Sequence, residues 1–421
     1  MERAERRAAP SPATPAAEDV YARSERLSDA FAPPRPVGSP VIRVVGVGGA
    51  GVNAVNRMIE AEIEGVDFVA INTDLQSLQQ CAASETLHIG DSVTRGLGSG
   101  SNPDLGRQAA REEYDRIKAL LRGSDMVFIA AGAGGGTGTG AAPVVAQIAR
   151  ELGALTVGIV TRPFQFEGSR RSAQAEAGIA ALAEEVDTLI VVPNNRLLTV
   201  LDRGTSMVDA FRVADDVLRQ GVQGVSDLVT LPGLINLDFA DVRTIMSNAG
   251  NALLGIGMGS GERRAIDAAE AAVASPLLET SMEGARSILL SITGGTDLSL
   301  WEVNEAAKAV AEAAHPDANI IFGAMLDEKL ADGQVWVTVV ATGYRDRFAE
   351  RQSTPPAQIS SERPRRVESD WSAPRRSERD RAERERPGER DLREPQGEPR
   401  VSRRERSFSG ELDVPEFIPR R

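Results

Sequence analysis

Read as a pattern of apolar and polar positions, the middle of the chain separates from its two ends. Five short apolar runs are bounded by Gly or Asp and read as buried strands: "VIRVVGV" from Val41, "VDFVAIN" from Val66, "MVFIAA" from Met126, "LTVGIV" from Leu155 and "DTLIVVP" from Asp187. Amphipathic stretches lie between them. After Gly51, the residues Val52, Val55, Ile59 and Ile63 recur on one helical face, and Gly65 predicts where that helix ends. Strands alternating with helices predict an α/β fold with a doubly wound parallel sheet. From about Leu231 the pattern restarts with "DVRTIMSNAGNALLGIGMG", "RSILLSITGG", a helix near Trp301–Ala314, "ANIIFGAML" and "QVWVTVVATG". This smaller unit reads as α+β and ends in two adjacent strands.

The flanks lack this periodicity. They are built from Pro, Ser, Ala, Glu and Arg with few large apolar residues, a composition that predicts disorder. Charge divides the same way: the net charge of −13 over 421 residues resolves into 0 for residues 1–40, −16 for 41–344, +4 for 345–406 and −1 for 407–421. In the 345–406 linker acids interleave with arginines and the only aromatics are Phe348 and Trp371, which argues for a solvated tether and against a nucleic-acid arm. Such a tether spans roughly 40–50 Å. A single cysteine, Cys81, excludes a disulfide framework, and two histidines, His88 and His315, argue against a multi-histidine metal site. No run of about 18 apolar residues supports a membrane span, and the charged, Pro-rich start does not resemble a signal peptide.

The chemistry sits at two strand ends. The first strand opens into Gly46-Val-Gly48-Gly49-Ala50-Gly51-Val52-Asn53 before a helix. Glycines there allow a tight turn and close approach of a phosphate, whose charge the free N–H groups of the helix start attract. The same residues also spell G-x-G-x-x-G, the dinucleotide pattern, with Asp67 or Asp74 as the later ribose acid. The strand at Met126 opens into a second loop, Gly132-Ala-Gly134-Gly135-Gly136-Thr137-Gly138-Thr139-Gly140. Its ribbon of amides and two hydroxyls is a phosphate cradle. Two such loops suggest a mononucleotide polyphosphate gripped from both sides, and no P-loop motif is present.

With "GGGTGTG" at Gly134–Gly140 the chain resembles the tubulin/FtsZ family, and its surroundings are similar to the bacterial branch. The likeness runs from about Val41 to Tyr344 through "GVGGAGVNAVNRM", "INTD", "GLGSGSNP", "AAGAGGGTGTGAAPVVA", "TRPFQFEGSRR", "LDRGTSMVDAF" and "NLDFADVRTIM" in order. It implies a cytoplasmic GTPase that polymerises head to tail and forms the ring at the midcell division site. It also implies a division into a disordered extension (1–40), a GTP-binding domain (41–206), a central helix and connection (207–231), a C-terminal α+β domain (232–344), a charged linker (345–406) and a partner-binding peptide (407–421).

The resemblance further implies roles for single residues. Gly48, Gly49, Ala50, Gly51, Val52 and Asn53 would contact the nucleotide, with Gly136, Thr137 and Gly138 at the phosphates. Glu167 would meet the ribose and Arg171 the phosphates, Thr161 and Pro163 shaping the wall, while Asn194, Phe211 and Asp215 would hold guanine. A carboxylate can accept both N1–H and the exocyclic amine of guanine, a pair adenine lacks, which gives Asp215 a chemical reason to select GTP. Phe211, four residues earlier on the same helical face, could stack on the base or belong to the core. Asn236, Asp238 and Asp241 would complete the catalytic site of the next subunit. From spacing alone, Asp238 reads as a helix N-cap and Asp241 as a first-turn acid, and both accounts can hold. Mg²⁺ is expected at the phosphates, with no protein ligand named. Leu412–Ile418, an apolar cluster on a tether, resembles the family's tail peptide for membrane-tethering and regulatory division proteins, without direct insertion. Two other readings remain open at this point: a dinucleotide-dependent oxidoreductase using Gly46–Gly51, and a nucleotide-gated scaffold without turnover.

Overall fold

A computed structural model describes residues 39–343 apart from 203, 232, 279–281, 283, 328–329 and 331–332. The linker and tail peptide, and all but the last two residues of the N-terminal extension, lie outside the described residues. The first half runs β1 (Ile42–Val47), α1 (Gly48–Glu60), β2 (Val66–Asn72), α2 (Leu75–Gln79), β3 (Glu85–His88), α3 (Asp91–Thr94), α4 (Pro103–Glu112) and α5 (Tyr114–Leu121). It continues through β4 (Met126–Gly132), α6 (Thr137–Glu151), β5 (Leu155–Arg162), α7 (Ser169–Ala183), β6 (Thr188–Pro193) and α8 (Asn194–Leu197). The long α9 (Met207–Thr230) leads to β7 (Gly233–Ile235), α10 (Phe239–Met246), β8 (Gly250–Ser260), α11 (Arg264–Val273), β9 (Ser287–Gly294), α12 (Leu300–Glu312), β10 (Asn319–Leu326) and β11 (Gln334–Thr342).

The predicted doubly wound sheet is present. Strands run β3-β2-β1-β4-β5-β6, all parallel, so every C-terminal strand end points to one edge. Alternate residues of each strand feed opposite cores. Val44 faces Val55, Met58, Leu218 and Val222 of α1 and α9, whereas Val45 faces Ile117, Val145 and Ile148 of α5 and α6. Burial on both faces is why these strands read as unbroken apolar runs. Helix α6 is apolar nearly all round because it is buried from Thr137 to Ala149 except at Gln147.

Beyond β6 the order continues β8-β11-β9-β10-β7. β8 joins β6 in parallel through only Thr188–Ile190 against Gly250–Ala252, so the junction between the two halves is short. Helix α9, capped by the Ser206 hydroxyl accepting from the Asp209 N–H, bridges both halves. Its Leu218, Val222, Val225 and Leu228 share a core with Leu254, Leu289 and Val340 of the second half.

Two expectations need correction, and one strand was not foreseen. The first helix starts at Gly48, inside the glycine loop, and ends at Glu60, so Ile63 lies beyond it. Glycines carry no side chain to show periodicity, and the left-handed Glu62 and Gly65 turn the chain. β3 was not predicted, because "ETLH" has no apolar run. Finally, β10 and β11 follow each other in the chain but are not neighbours: β9 lies between them, parallel to β10 and antiparallel to β11. Strand order is set by packing across the sheet, to which local pattern is blind.

Candidate functional site

The two glycine loops follow neighbouring strands and touch. Gly48 is left-handed, and a Cβ there would stand 2.7 Å from the Gly138 nitrogen; a Cβ on Gly51 would stand 2.4 Å from the Ala130 carbonyl oxygen. Side chains are excluded so that the start of α1 can lie against β4 and the second loop. The N-terminal turn of α6 has no side-chain cap, which leaves amides free for an anion. Between the loops opens a cleft of about 220 Å³, walled here by Gly49, Ala50, Gly135, Gly136, Thr137 and Gly138.

Further along the edge the cleft passes Thr161 and Pro163, at the end of β5, to Asn194, Phe211 and Asp215. Asn194 is 5% exposed, yet its Oδ1 has no hydrogen-bond partner among the described residues. A buried carbonyl oxygen is rarely left so, and its place in the cleft wall points to a donor supplied by a ligand. Phe211 is not a core residue: it is 37% exposed and held edge-on at 5.4 Å against the fully buried Phe164. Burial pushes the Asp215 carboxyl up to about 7, opposed by the Arg57 guanidinium. Glu167 closes a short 3-10 turn, accepting the Phe164 N–H at 2.8 Å and pairing with Arg171 at 3.0 Å. Arg171 thereby brings a half-exposed cation to the wall beside the second loop.

Not every candidate reaches this cleft. Gly48 lies beneath it, against Gly138. The Val52 side chain points into the core with Ala70 and Leu78, Gly51 packs on β4, and Asn53 lines an adjoining groove with Asn56 and Arg57. The two hydroxyls of the second loop are not both available, since Thr139 accepts the Gly134 N–H. Sequence reasoning missed Ser99, which lines the cleft from the "GLGSGSNP" segment and hydrogen-bonds to Thr137. That motif was visible, but the hydroxyl's target was not. Asp67 is paired with Arg43 at the start of β2 and Asp74 caps α2, so the dinucleotide reading lacks its ribose acid in the cleft.

Asn236, Asp238 and Asp241 are exposed and stand elsewhere. Asp238 is the N-cap of α10, its carboxylate accepting the Asp241 N–H at 2.9 Å. That helix sits at the opposite edge of the sheet. Arg243 donates to the Gly153 carbonyl just ahead of β5, the Thr188 hydroxyl at the start of β6 donates to the Met246 carbonyl, and β8 then begins level with Thr188. One molecule therefore does not bring these acids to its own cleft. Among the described residues no cluster of His, Cys, Asp and Glu could hold a metal ion, and no helix is long and apolar enough to cross a membrane.

A cleft shared by two glycine loops, at the carboxyl edge of a doubly wound sheet, defines a nucleotide-binding protein of the α/β class. Residues 41–202 match the GTPase domain of the tubulin/FtsZ family, and residues 250–345 match the C-terminal domain of the FtsZ family. An empty FtsZ dimer from M. jannaschii is 44% identical, with a TM-score of 0.70 over 78% of this chain and 92% of that one. A tryptophan-to-tyrosine mutant of M. jannaschii FtsZ is also 44% identical, with a TM-score of 0.71 over 78% and 96%. CetZ2 from Haloferax volcanii, solved as a GTPγS-bound protofilament, shares the fold at 22% identity, with a TM-score of 0.62 over 74% and 96%. The chain belongs to the tubulin/FtsZ family, and its first half is that family's GTPase domain.

Proposed function

We propose that this protein is a GTP hydrolase that assembles head to tail into protofilaments, each hydrolytic site being completed by the next subunit. The observation that carries this reading is the position of Asp238 and Asp241, exposed at the sheet edge opposite the cleft. Stacking one subunit's cleft edge on the next subunit's α10 edge brings the two together. Such a contact is heterologous and propagates as an open filament. The surfaces suit it: Leu97, Phe166, Leu198, Val200, Met207 and Val208 are exposed on segments around or beside the cleft, and Leu234 is exposed just ahead of α10. Apolar side chains grouped around a polar cleft are the mark of an interaction face.

Within the cleft, Asp215 accepts N1–H and the exocyclic amine of guanine, the orphaned Asn194 Oδ1 takes a further donor, and Phe211 stacks on the base. Glu167 binds the ribose, while Arg171 and the amides of Gly136, Thr137 and Gly138 hold the phosphates. Asp238 and Asp241, with Asn236, orient a water for attack on the terminal phosphorus, breaking the bond to the bridging oxygen and releasing phosphate and GDP. Among the described residues no cluster of carboxylates or imidazoles could hold a metal ion, so Mg²⁺ would be held chiefly by phosphate oxygens and water, and it would supply charge neutralisation at the phosphates. In the cytoplasm these filaments form the division ring at midcell, and Leu412–Ile418 recruits a membrane-tethering or regulatory protein.

Mixing two defective variants tests the shared site. Asp238→Ala keeps its cleft and Asp215→Ala keeps its α10 edge, so each alone hydrolyses little GTP and a mixture recovers phosphate release. A mixture no more active than its parts refutes completion across the contact.

A further inference from the structure

The helix that carries Asp238 and Asp241 is held by both halves of the molecule. Its N-terminal end belongs to the second half: β7 leads into it, paired antiparallel with β10, and the Asn236 Oδ1 accepts the Gly233 N–H at 2.5 Å. Its C-terminal end is fastened to the first half. A helix leaves its last carbonyls without donors of its own, and here the Thr188 hydroxyl, wholly buried at the head of β6, donates to that of Met246. Asp187, one residue earlier, places both carboxylate oxygens on backbone amides. Oδ1 accepts the Asn248 N–H at 3.2 Å and Oδ2 the Thr156 N–H at 2.9 Å, while the Asp187 carbonyl accepts the Gly250 N–H at 2.9 Å. Charged acceptors make the stronger bonds of this kind. Two adjacent side chains thus tie the turn between α10 and β8 to the starts of β5 and β6.

These ties matter because little else sets the angle of α10 to the first half. The ladder between β6 and β8 is only Thr188–Ile190 against Gly250–Ala252, and Asn248, in the turn, is left-handed at φ 52°. With eight residues, α10 is a rod about 12 Å long. A rod that short carries any slackness at Met246 through to the acids of its first turn, and a shift of about 1 Å there can cost about a hundredfold in rate. Neither Asp187 nor Thr188 lines the cleft. They lie at the start of β6 and Asn194 directly after its end, six residues along the strand, a separation of roughly 20 Å.

We infer that Asp187 and Thr188 are positioning residues for hydrolysis in the neighbouring subunit: by latching the C-terminal end of α10 to the GTPase half, they set where Asp238 and Asp241 stand against the next molecule's cleft. The inference rests on the reading of a site shared between subunits. It assigns the effect a direction, since loosening the latch impairs the edge a molecule offers and not the cleft it contains.

The test is phosphate release by the full chain under saturating GTP, alone and in equal mixtures. Asp187→Asn keeps its shape but offers one acceptor oxygen in place of two, and Thr188→Val keeps its shape without the hydroxyl. Each is expected to bind GTP as the wild type does and to release phosphate about tenfold more slowly; Thr188→Ser, which retains the donor, restores the rate. Mixed with Asp215→Ala, whose α10 edge is intact, either variant should recover to about a quarter of the wild-type rate, because random order pairs a working cleft with a working edge at about one contact in four. Mixed with Asp238→Ala it should stay no faster than alone. Recovery with Asp238→Ala instead would place the damage in the variant's own cleft, and recovery in neither mixture would mean general destabilisation; either result overturns the inference, as does wild-type turnover in both variants. If Asp187→Asn does not fold, Thr188→Val with its serine rescue decides. A control mixture of Asp215→Ala and Asp238→Ala that stays inactive brings down the shared site itself, and the latch with it; recovery in that control alone brings down only the latch.

Discussion

If Asp215 recognises guanine as a carboxylate, nucleotide binding must release a proton at mildly acidic pH. Burial in the cleft wall lifts this carboxyl from its ordinary 3.8 to about 7, against the pull of Arg57. A neutral carboxyl presents an O–H where guanine presents N–H donors, so only the ionised fraction binds well. That fraction is about one-tenth at pH 6 and about one-hundredth at pH 5, so GTP should bind about tenfold and about a hundredfold more weakly than at pH 8. The sign for the unliganded fold is opposite. A raised carboxyl pKa stabilises the native state at low pH, and this contribution is lost as pH rises from about 4 through about 7. Displacement titrations between pH 5 and 8.5 measure the first effect on wild type and on Asp215→Asn. The phosphates titrate near 6 in both, so the difference between the two slopes is the contribution of Asp215. Parallel slopes would refute the assignment.

Asp238→Asn separates cap from catalysis, because Asn caps a helix as well as Asp does but carries no charge. It should leave the melting temperature and GTP binding unchanged, cut phosphate release about a hundredfold and give longer-lived filaments; turnover at the wild-type rate under saturating GTP would remove Asp238 from the mechanism. Asp227, buried on α9 where that helix faces the second half, is also pushed up to about 7, chiefly by burial and then by the Asp327 and Glu64 carboxylates, with Gln223 and Arg219 opposing. Asp227→Asn should therefore raise the melting temperature at pH 8, where the wild-type carboxylate is ionised in a poorly solvated place, and change it little at pH 5. An equal effect at both values would show that the carboxyl does not carry the penalty.

The legible parts were those whose physics is local. β1, β2, β4, β5 and β6 stood out as apolar runs because each is buried on both faces, and the glycine loops stood out because backbone approach leaves a compositional trace. The cap at Asp238 was equally readable, since an N-cap and its first-turn acid lie three residues apart. The start of α1 was misplaced because its first turn is glycine, and β3 passed unseen because pairing with β2, not its own residues, makes it a strand. Side chains such as Val52 cannot be told from ligand contacts by motif membership, because a motif records spacing and not direction.

By itself, then, the sequence determined the class of fold, the two glycine loops at strand ends and the groups available near them: backbone amides, a guanidinium and carboxylates. Only the tertiary structure decided how those pieces stand to each other. It brought Ser99 and Thr73 to Thr137 from distant segments, slid β11 between β8 and β9, and put Asp238 at the edge opposite the cleft. Periodicity reports which face of a segment is buried, whereas strand order and hydroxyl pairing arise from packing between residues far apart in the chain.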